Sequence, residues 1–342
     1  MPSEQAGVVL VGCGRISASH LRAIAELPED YRLIATVDRD IGRADEAAAP
    51  FGAMALASLD HALALPGVTC VILCTPNGDH AQQAMASLKA GKHVLVEKPL
   101  AETGEQARAL ATEAQRQDLV LAAGHTFRHC APVNYLLDHV AELGRLRAVE
   151  VSSCVFWDGP QAPWWAERTP EEGLIVSLFA PHSLDFIQLA MGDVAPTRVH
   201  AEGARHQSGW QGEDEAMIVL AYPGRRMATL HLSYNQLPIH DRKVLFFEKG
   251  VMEIIHGETL LWNGAPVIVP PPGMVTDPGR MGGRDLAHYF RGQLAEFAKA
   301  MRREGHRCPS GAEAALGIEL LDRVRASLRA NSAEEIDPPP KG

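Results

Sequence analysis

Two hydrophobic periodicities divide this chain. Through the first 125 residues, short apolar runs alternate with stretches where apolar residues recur every three or four positions. GVVLVG (7–12), RLIATVD (32–38), VTCVILCTP (68–76), HVLVEKP (93–99) and LVLAAGH (119–125) are too short for helices and end in turn residues, so they predict buried strands. Between them, SASHLRAIAEL (17–27) sets Leu21, Ile24, Ala25 and Leu27 at helical spacing, and 42–51, 80–91 and 104–117 read as further helices. Apolar strands alternating with helices predict a parallel sheet covered on both faces.

After about residue 145 the pattern changes. Segments 145–157, 197–205, 214–222, 225–235 and 242–250 read as longer strands, with YPGRR (222–226) as a hairpin turn between two of them. Such strands predict a mostly antiparallel sheet. Residues 269–283, rich in Pro and Gly, predict a loop, and two amphipathic helices over 285–304 and 311–330 close the chain. The fold class is therefore α/β, with an N-terminal doubly wound parallel sheet and a C-terminal α+β domain. With 342 residues, more than one core usually holds, the division is set at 1–125 and 126–342.

Charge and composition then narrow the function. A formal net charge of −10 without a basic run argues against nucleic acid or a membrane surface as partner. No secretory start and no long apolar span is visible, and the six cysteines show no CxxC spacing, which fits a reducing cytoplasm. The fifteen histidines form no ligand pattern, so no metal is expected.

The first candidate chemistry lies in VGCGRIS (11–17). Gly12 and Gly14 follow a strand and precede a helix, where a tight turn and a bare helix N-terminus receive a pyrophosphate. Arg15 and Ile16 complete the turn, and Ser17 holds the third glycine position. Asp38 ends the second strand, where a carboxylate binds a ribose and disfavours a 2′-phosphate; NAD is therefore the expected cofactor. The adjacent Arg39 is a cation that a 2′-phosphate would use, which keeps NADP open.

CTPNGDH (74–80) and VLVEKPLA (94–101) end two further strands, on the edge of an α/β sheet where ligands bind. Lys98 there is a cationic donor for a reacting oxygen. With these motifs the sequence resembles the Gfo/Idh/MocA oxidoreductases, the relatives of glucose–fructose oxidoreductase and inositol dehydrogenase. GHTFRHCAPV (124–133), an HxxD pair made by His182 and Asp185, and the segments 241–254 and 297–328 extend the resemblance nearly end to end.

The resemblance implies a Rossmann domain, a second domain with a large open sheet, and assembly through that sheet into a homodimer or homotetramer. It implies hydride transfer between a nicotinamide and a secondary alcohol or ketone of a sugar, sugar nucleotide or cyclitol. By position, Lys98 would hydrogen-bond the reacting oxygen and His182 would be the general acid/base. Thr75, Pro76, Asn77, His80 and Glu97 would line the cofactor.

One position departs from the pattern. Relatives place an acid four residues before the histidine, and here that residue is Leu178. Leucine neither binds a hydroxyl nor accepts a proton, so the substrate, the pocket or the source of the acid differs; Glu172 or Ser177 would supply a polar group if the helix began differently. Two other readings follow: the same fold using its cofactor transiently for oxidation followed by elimination or epimerisation, or a non-catalytic nucleotide-binding protein. Further substrate contacts are sought in His125, Arg128, Trp165 and Asp185, with Tyr234 and Asn235 ending a strand that faces the pocket.

Overall fold

A computed structural model describes residues 5–160, 165, 173–192, 194–270 and 286–332. Six parallel strands form the first sheet: β1 (Ala6–Val11), β2 (Tyr31–Val37), β3 (Met54–Leu56), β4 (Cys70–Leu73), β5 (His93–Val96) and β6 (Leu121–Ala123). Their order is β3-β2-β1-β4-β5-β6, which reverses direction at β1. Helices α1 (Ser17–Ala25), α2 (Ile41–Ala48), α3 (Leu59–Leu63), α4 (Asn77–Lys89) and α5 (Gly104–Arg116) connect them. The alternation read from the sequence is present, with β3 and α3 as additions too short to leave a periodic signal.

The rest of the chain contributes α6 (Ala131–His139), β7 (Leu146–Phe156), α7 (Ile175–Met191), and seven strands: β8 (Arg198–Ala204), β9 (Glu215–Tyr222), β10 (Arg226–Ser233), β11 (Asn235–Phe247), β12 (Val251–Ile255), β13 (Thr259–Trp262) and β14 (Ala265–Ile268). Helices α8 (Ala287–Met301) and α9 (Gly311–Ser332) complete it.

Strand β1 shows why the first sheet reads as continuous apolar runs. Val8 and Leu10 pack on one side with Ala23 and Ile24 of α1 and with Phe290, Leu294 and Phe297 of α8. Val9 and Val11 pack on the other with Leu88 of α4, Leu110 of α5 and Ile318 of α9. Both faces are covered, so every position must be apolar. The chain accordingly divides into two compact units at more than one point. The first comprises residues up to 134 together with 285–319, and the second takes 135–284 and the remainder. A single cut at 125 assigns α8 and the start of α9 to the wrong sheet, because apolar stripes at the end of the chain do not reveal which sheet they cover.

The second unit holds eight strands in the order β14-β13-β12-β11-β7-β10-β9-β8. All neighbours are antiparallel except β7 and β10. Alternate residues of β9 and β10, such as Ile218, Leu220 and Leu230, are buried, and α7 packs on β7, β9 and β10. Met217, Val219 and Met227 are exposed.

Residues 178–186, LFAPHSLDF, which carry Leu178, His182 and Asp185, lie inside α7, with Pro181 in the helix interior. A proline lacks the N–H that would bond four residues back, so the sequence there does not announce a helix. The N-terminus is held from outside: Glu213 accepts the Leu174 N–H at 2.9 Å and the Val176 N–H at 3.1 Å. These bonds satisfy donors that a helix start leaves open.

Candidate active site

The turn after β1 requires glycine once. Gly12 has φ +88°, and a Cβ there would lie 2.7 Å from the Cys74 carbonyl carbon. Gly14 differs: nothing in the protein lies within 4 Å of where its Cβ would be. Open space beside an exposed backbone suits a ligand that approaches closely. Helix α1 begins just beyond with no side-chain cap and no acid in its first turn; the Ser17 and Ser19 N–H groups bond the Gly14 and Ile16 carbonyl oxygens, and the positive end of the helix dipole still favours an anion there. Arg15 is exposed and Ile16 half-buried in this turn.

Asp38 follows β2. Its carboxylate accepts the Cys13 N–H at 2.7 Å and the Asp40 N–H at 2.9 Å, which fixes it beside the glycine turn. Arg39 turns away from it and pairs with Asp79 at 3.0 and 3.2 Å. Asp40 caps α2 by accepting the Gly42 N–H.

The loops after β4 and β5 are tied from within. His80 is fully buried; its Nδ1 lies 2.8 Å from the Pro99 carbonyl oxygen and its Nε2 2.8 Å from that of Thr75. Both ring nitrogens are thus engaged inside the protein. The sequence expectation that His80 lines the cofactor is revised: its ring links the two loops that flank the site. Thr75 donates its hydroxyl to Gln83 at 2.7 Å, Pro76 is exposed at the start of α4, and Asn77 opens that helix half-buried.

Glu97 is likewise interior. Its Oε1 is 2.8 Å from His20 Nε2, and its Oε2 accepts the Lys98 N–H at 3.2 Å. Burial alone would raise its pKa, but the bond from His20 and the nearby cations outweigh it and hold the carboxyl below its usual range. Gly124 makes room, since a Cβ there would sit 3.1 Å from the Glu97 carboxyl. Lys98 is half-buried, with a cis peptide bond to Pro99. Burial lowers its pKa, opposed by Glu97 and assisted by Arg15. A lysine brought down in this way exchanges protons closer to neutrality than a surface lysine does.

His20 is the residue that the sequence reading passed over. It is fully buried on the inward face of α1, beside an edge-on Phe290 ring at 5.0 Å. Its signal was available: a histidine three positions after Ser17, on the same stripe as Ala23 and Ile24.

Two of the expected substrate contacts are buried here. His125 is buried, and Arg128, also buried, pairs with Glu313 at 3.1 Å, so its charge is met within the unit.

In the second unit, helical geometry puts Leu178, His182 and Asp185 on one face of α7. Leu178 and Asp185 are buried and His182 is half-exposed. Ser177 is buried and accepts from Arg325 Nε at 3.0 Å, which removes it as a replacement acid; Glu172 lies outside the described residues. Trp165 stacks parallel to Tyr234 at 6.2 Å and packs on Trp157 at 5.0 Å. Tyr234 itself is fully buried, and Asn235 is engaged by Asp214 and Gln207. The strand end expected to face a pocket therefore serves the interior.

Among the described residues, no three His, Cys, Asp or Glu side chains are arranged to hold a metal ion. No described helix is long and apolar enough to cross a membrane.

Comparison with known proteins completes the picture. Residues 6–125 match the model of an oxidoreductase family with an NAD-binding Rossmann fold, and residues 139–253 match the GFO/IDH/MocA C-terminal domain. The 1,5-anhydro-D-fructose reductase of Ensifer adhaerens is 30% identical over 261 residues, covering 74% of each chain. Among solved structures, the WlbA dehydrogenase of Bordetella pertussis, in complex with NADH and UDP-GlcNAcA, superposes with a TM-score of 0.78 at 24% identity over 96% of this chain and 98% of its own. An inositol dehydrogenase homologue of Azotobacter vinelandii, complexed with NADH and myo-inositol, superposes with a TM-score of 0.80 at 20% identity over 96% of both chains. With its glycine turn, its EKP loop and both domain matches in place, this chain belongs to the Gfo/Idh/MocA family of NAD-binding oxidoreductases.

Proposed function

We propose that the protein transfers a hydride between NAD and a secondary alcohol or ketone of a sugar, sugar nucleotide or cyclitol. The observation that carries this reading is Lys98. It stands at the carboxyl end of β5, anchored by Glu97 through its own N–H and lowered in pKa by burial. The bound nicotinamide supplies the hydride acceptor or donor. The chain supplies the rest: Gly12, Gly14 and the start of α1 receive the pyrophosphate, Asp38 takes the ribose hydroxyls, and Lys98 donates to the reacting oxygen. His182, half-exposed on α7, takes the hydroxyl proton in oxidation and returns it in reduction. Leu178 makes the neighbouring position apolar, which favours a substrate lacking a hydroxyl there.

The relatives' substrates and ligands set the test. Purified protein is titrated with NAD+ and NADP+, then offered myo-inositol and UDP-GlcNAcA with NAD+, and 1,5-anhydro-D-fructose with NADH. We expect NAD+ binding and a change in NADH absorbance with at least one of them. Failure to bind either cofactor would sink the reading. We further infer that the face carrying Met217, Val219 and Met227 is covered by a second copy in a homodimer or homotetramer, which light scattering of the purified protein would report.

A further inference from the structure

The Arg39–Asp79 pair spans the cofactor turn. Strand β1 is hydrogen-bonded to β2 on one side and to β4 on the other. Arg39 follows β2, and Asp79 lies in the first turn of the helix that follows β4. An ion pair between them therefore crosses the space above the turn after β1, the one holding Gly12 and Gly14. Arg39 Nη2 reaches both Asp79 oxygens, at 3.2 and 3.0 Å.

Arg39 is also the residue next to Asp38. On its own it would be a mobile cation beside the ribose-binding carboxylate, which is what a 2′-phosphate needs. Arg43 lies 3.5 Å from Asp40, and Arg39 meets Asp79. A 2′-phosphate entering there meets the Asp38 carboxylate and a guanidinium already committed elsewhere. Removing the Asp79 charge lifts the second obstacle.

We infer that Asp79 is a specificity-determining residue: by holding Arg39 across the turn, it makes the site selective for NAD over NADP. The inference rests on Asp38 standing at the ribose. The pair is exposed, with 84% of the Arg39 side chain accessible, so its strength is that of a surface ion pair, and the expected effect is modest.

The test is a titration of purified wild type, Asp79→Asn and the double variant Asp79→Asn/Arg39→Ala with NAD+ and with NADP+. Asp79→Asn keeps the size of the side chain and removes its charge. NADP+ affinity should rise about fivefold, the upper range for releasing an exposed ion pair, while NAD+ affinity shifts by less. In the double variant the gain should vanish, since Arg39 is what the phosphate uses. Unchanged NADP+ affinity in Asp79→Asn would overturn the inference. So would a gain that persists without Arg39, because it would reflect net charge alone. Failure of the underlying reading shows separately, in a wild type that does not bind NAD+ or an Asp38→Ala variant that binds it as well as wild type.

Discussion

On the proposed reading, the cofactor turn in the first unit and helix α7 in the second carry function in opposite ways. Around Gly12 the site is made of backbone: a positive φ, a carbonyl that leaves no room for a Cβ, and N–H groups at the start of α1. Along α7 it is made of side chains on an ordinary helix face, where Leu178, His182 and Asp185 recur at helical spacing. A backbone site tolerates few residues, so its sequence is nearly its function. A helix face accepts any residue that packs, so one substitution changes the chemistry and leaves the fold alone. The departure at Leu178 falls on the second kind of site.

The largest functional effect expected from this contrast, loss of cofactor binding, is at Gly12. Forcing a side chain into its conformation costs about 1–3 kcal/mol from the backbone alone, and the contact with Cys74 adds to it. Gly12→Ala should lower the melting temperature and abolish NAD+ binding; a variant that binds NAD+ like wild type would break the distinction. Leu178→Asp comes next. Losing a buried leucine costs about 2–5 kcal/mol, and an acid four residues before His182 restores the polar pair of the family pattern. Thermal melts should show the loss, NAD+ binding should survive, and myo-inositol turnover should increase. If NAD+ binding fell with it, the two regions would not be separable in this way.

The smallest effect concerns Glu97 and its pH dependence. Its folded pKa is depressed, so its ionised form stabilises the protein fully above the ordinary glutamate pKa of about 4.3, and that contribution is lost as pH falls through the folded value. Wild type should therefore melt above Glu97→Gln at pH 7, with the gap closing progressively below about pH 4.3. A gap constant over that range would mean that the carboxyl is not held ionised by His20.

Much of the first unit was legible because its signals are local. The glycine turn, Asp38 at a strand end and the EKP loop each sit within a few residues of the element that positions them. What was not legible depends on distance along the chain. His20 meets Glu97 across 77 residues and Arg128 meets Glu313 across 185. Neither spacing has a periodicity to read, so the sequence offers Arg128 as a substrate contact and gives no sign of His20 meeting Glu97. The return of α8 to the first sheet escaped for the same reason: its apolar stripe says that it is covered, not by which sheet. His80 differs: its partners are near in sequence, but they are the backbone carbonyls of Thr75 and Pro99, which residue identity does not reveal. Tyr234 and Asn235 misled in a different way. An aromatic and an amide at a strand end suit a pocket, yet here they close an aromatic cluster and anchor Asp214.

The account turns on Lys98 and His182 as the groups that handle the reacting oxygen and its proton. The most direct measurement is the rate of NADH formation or consumption by wild type, Lys98→Ala and His182→Ala, on whichever of the three substrates the wild type accepts, with NAD+ affinity measured alongside. Removing a positioned acid/base group typically costs about 10²–10⁴ in rate. The account predicts losses of that order in both variants, with NAD+ binding retained. Either variant turning over at the wild-type rate would contradict it.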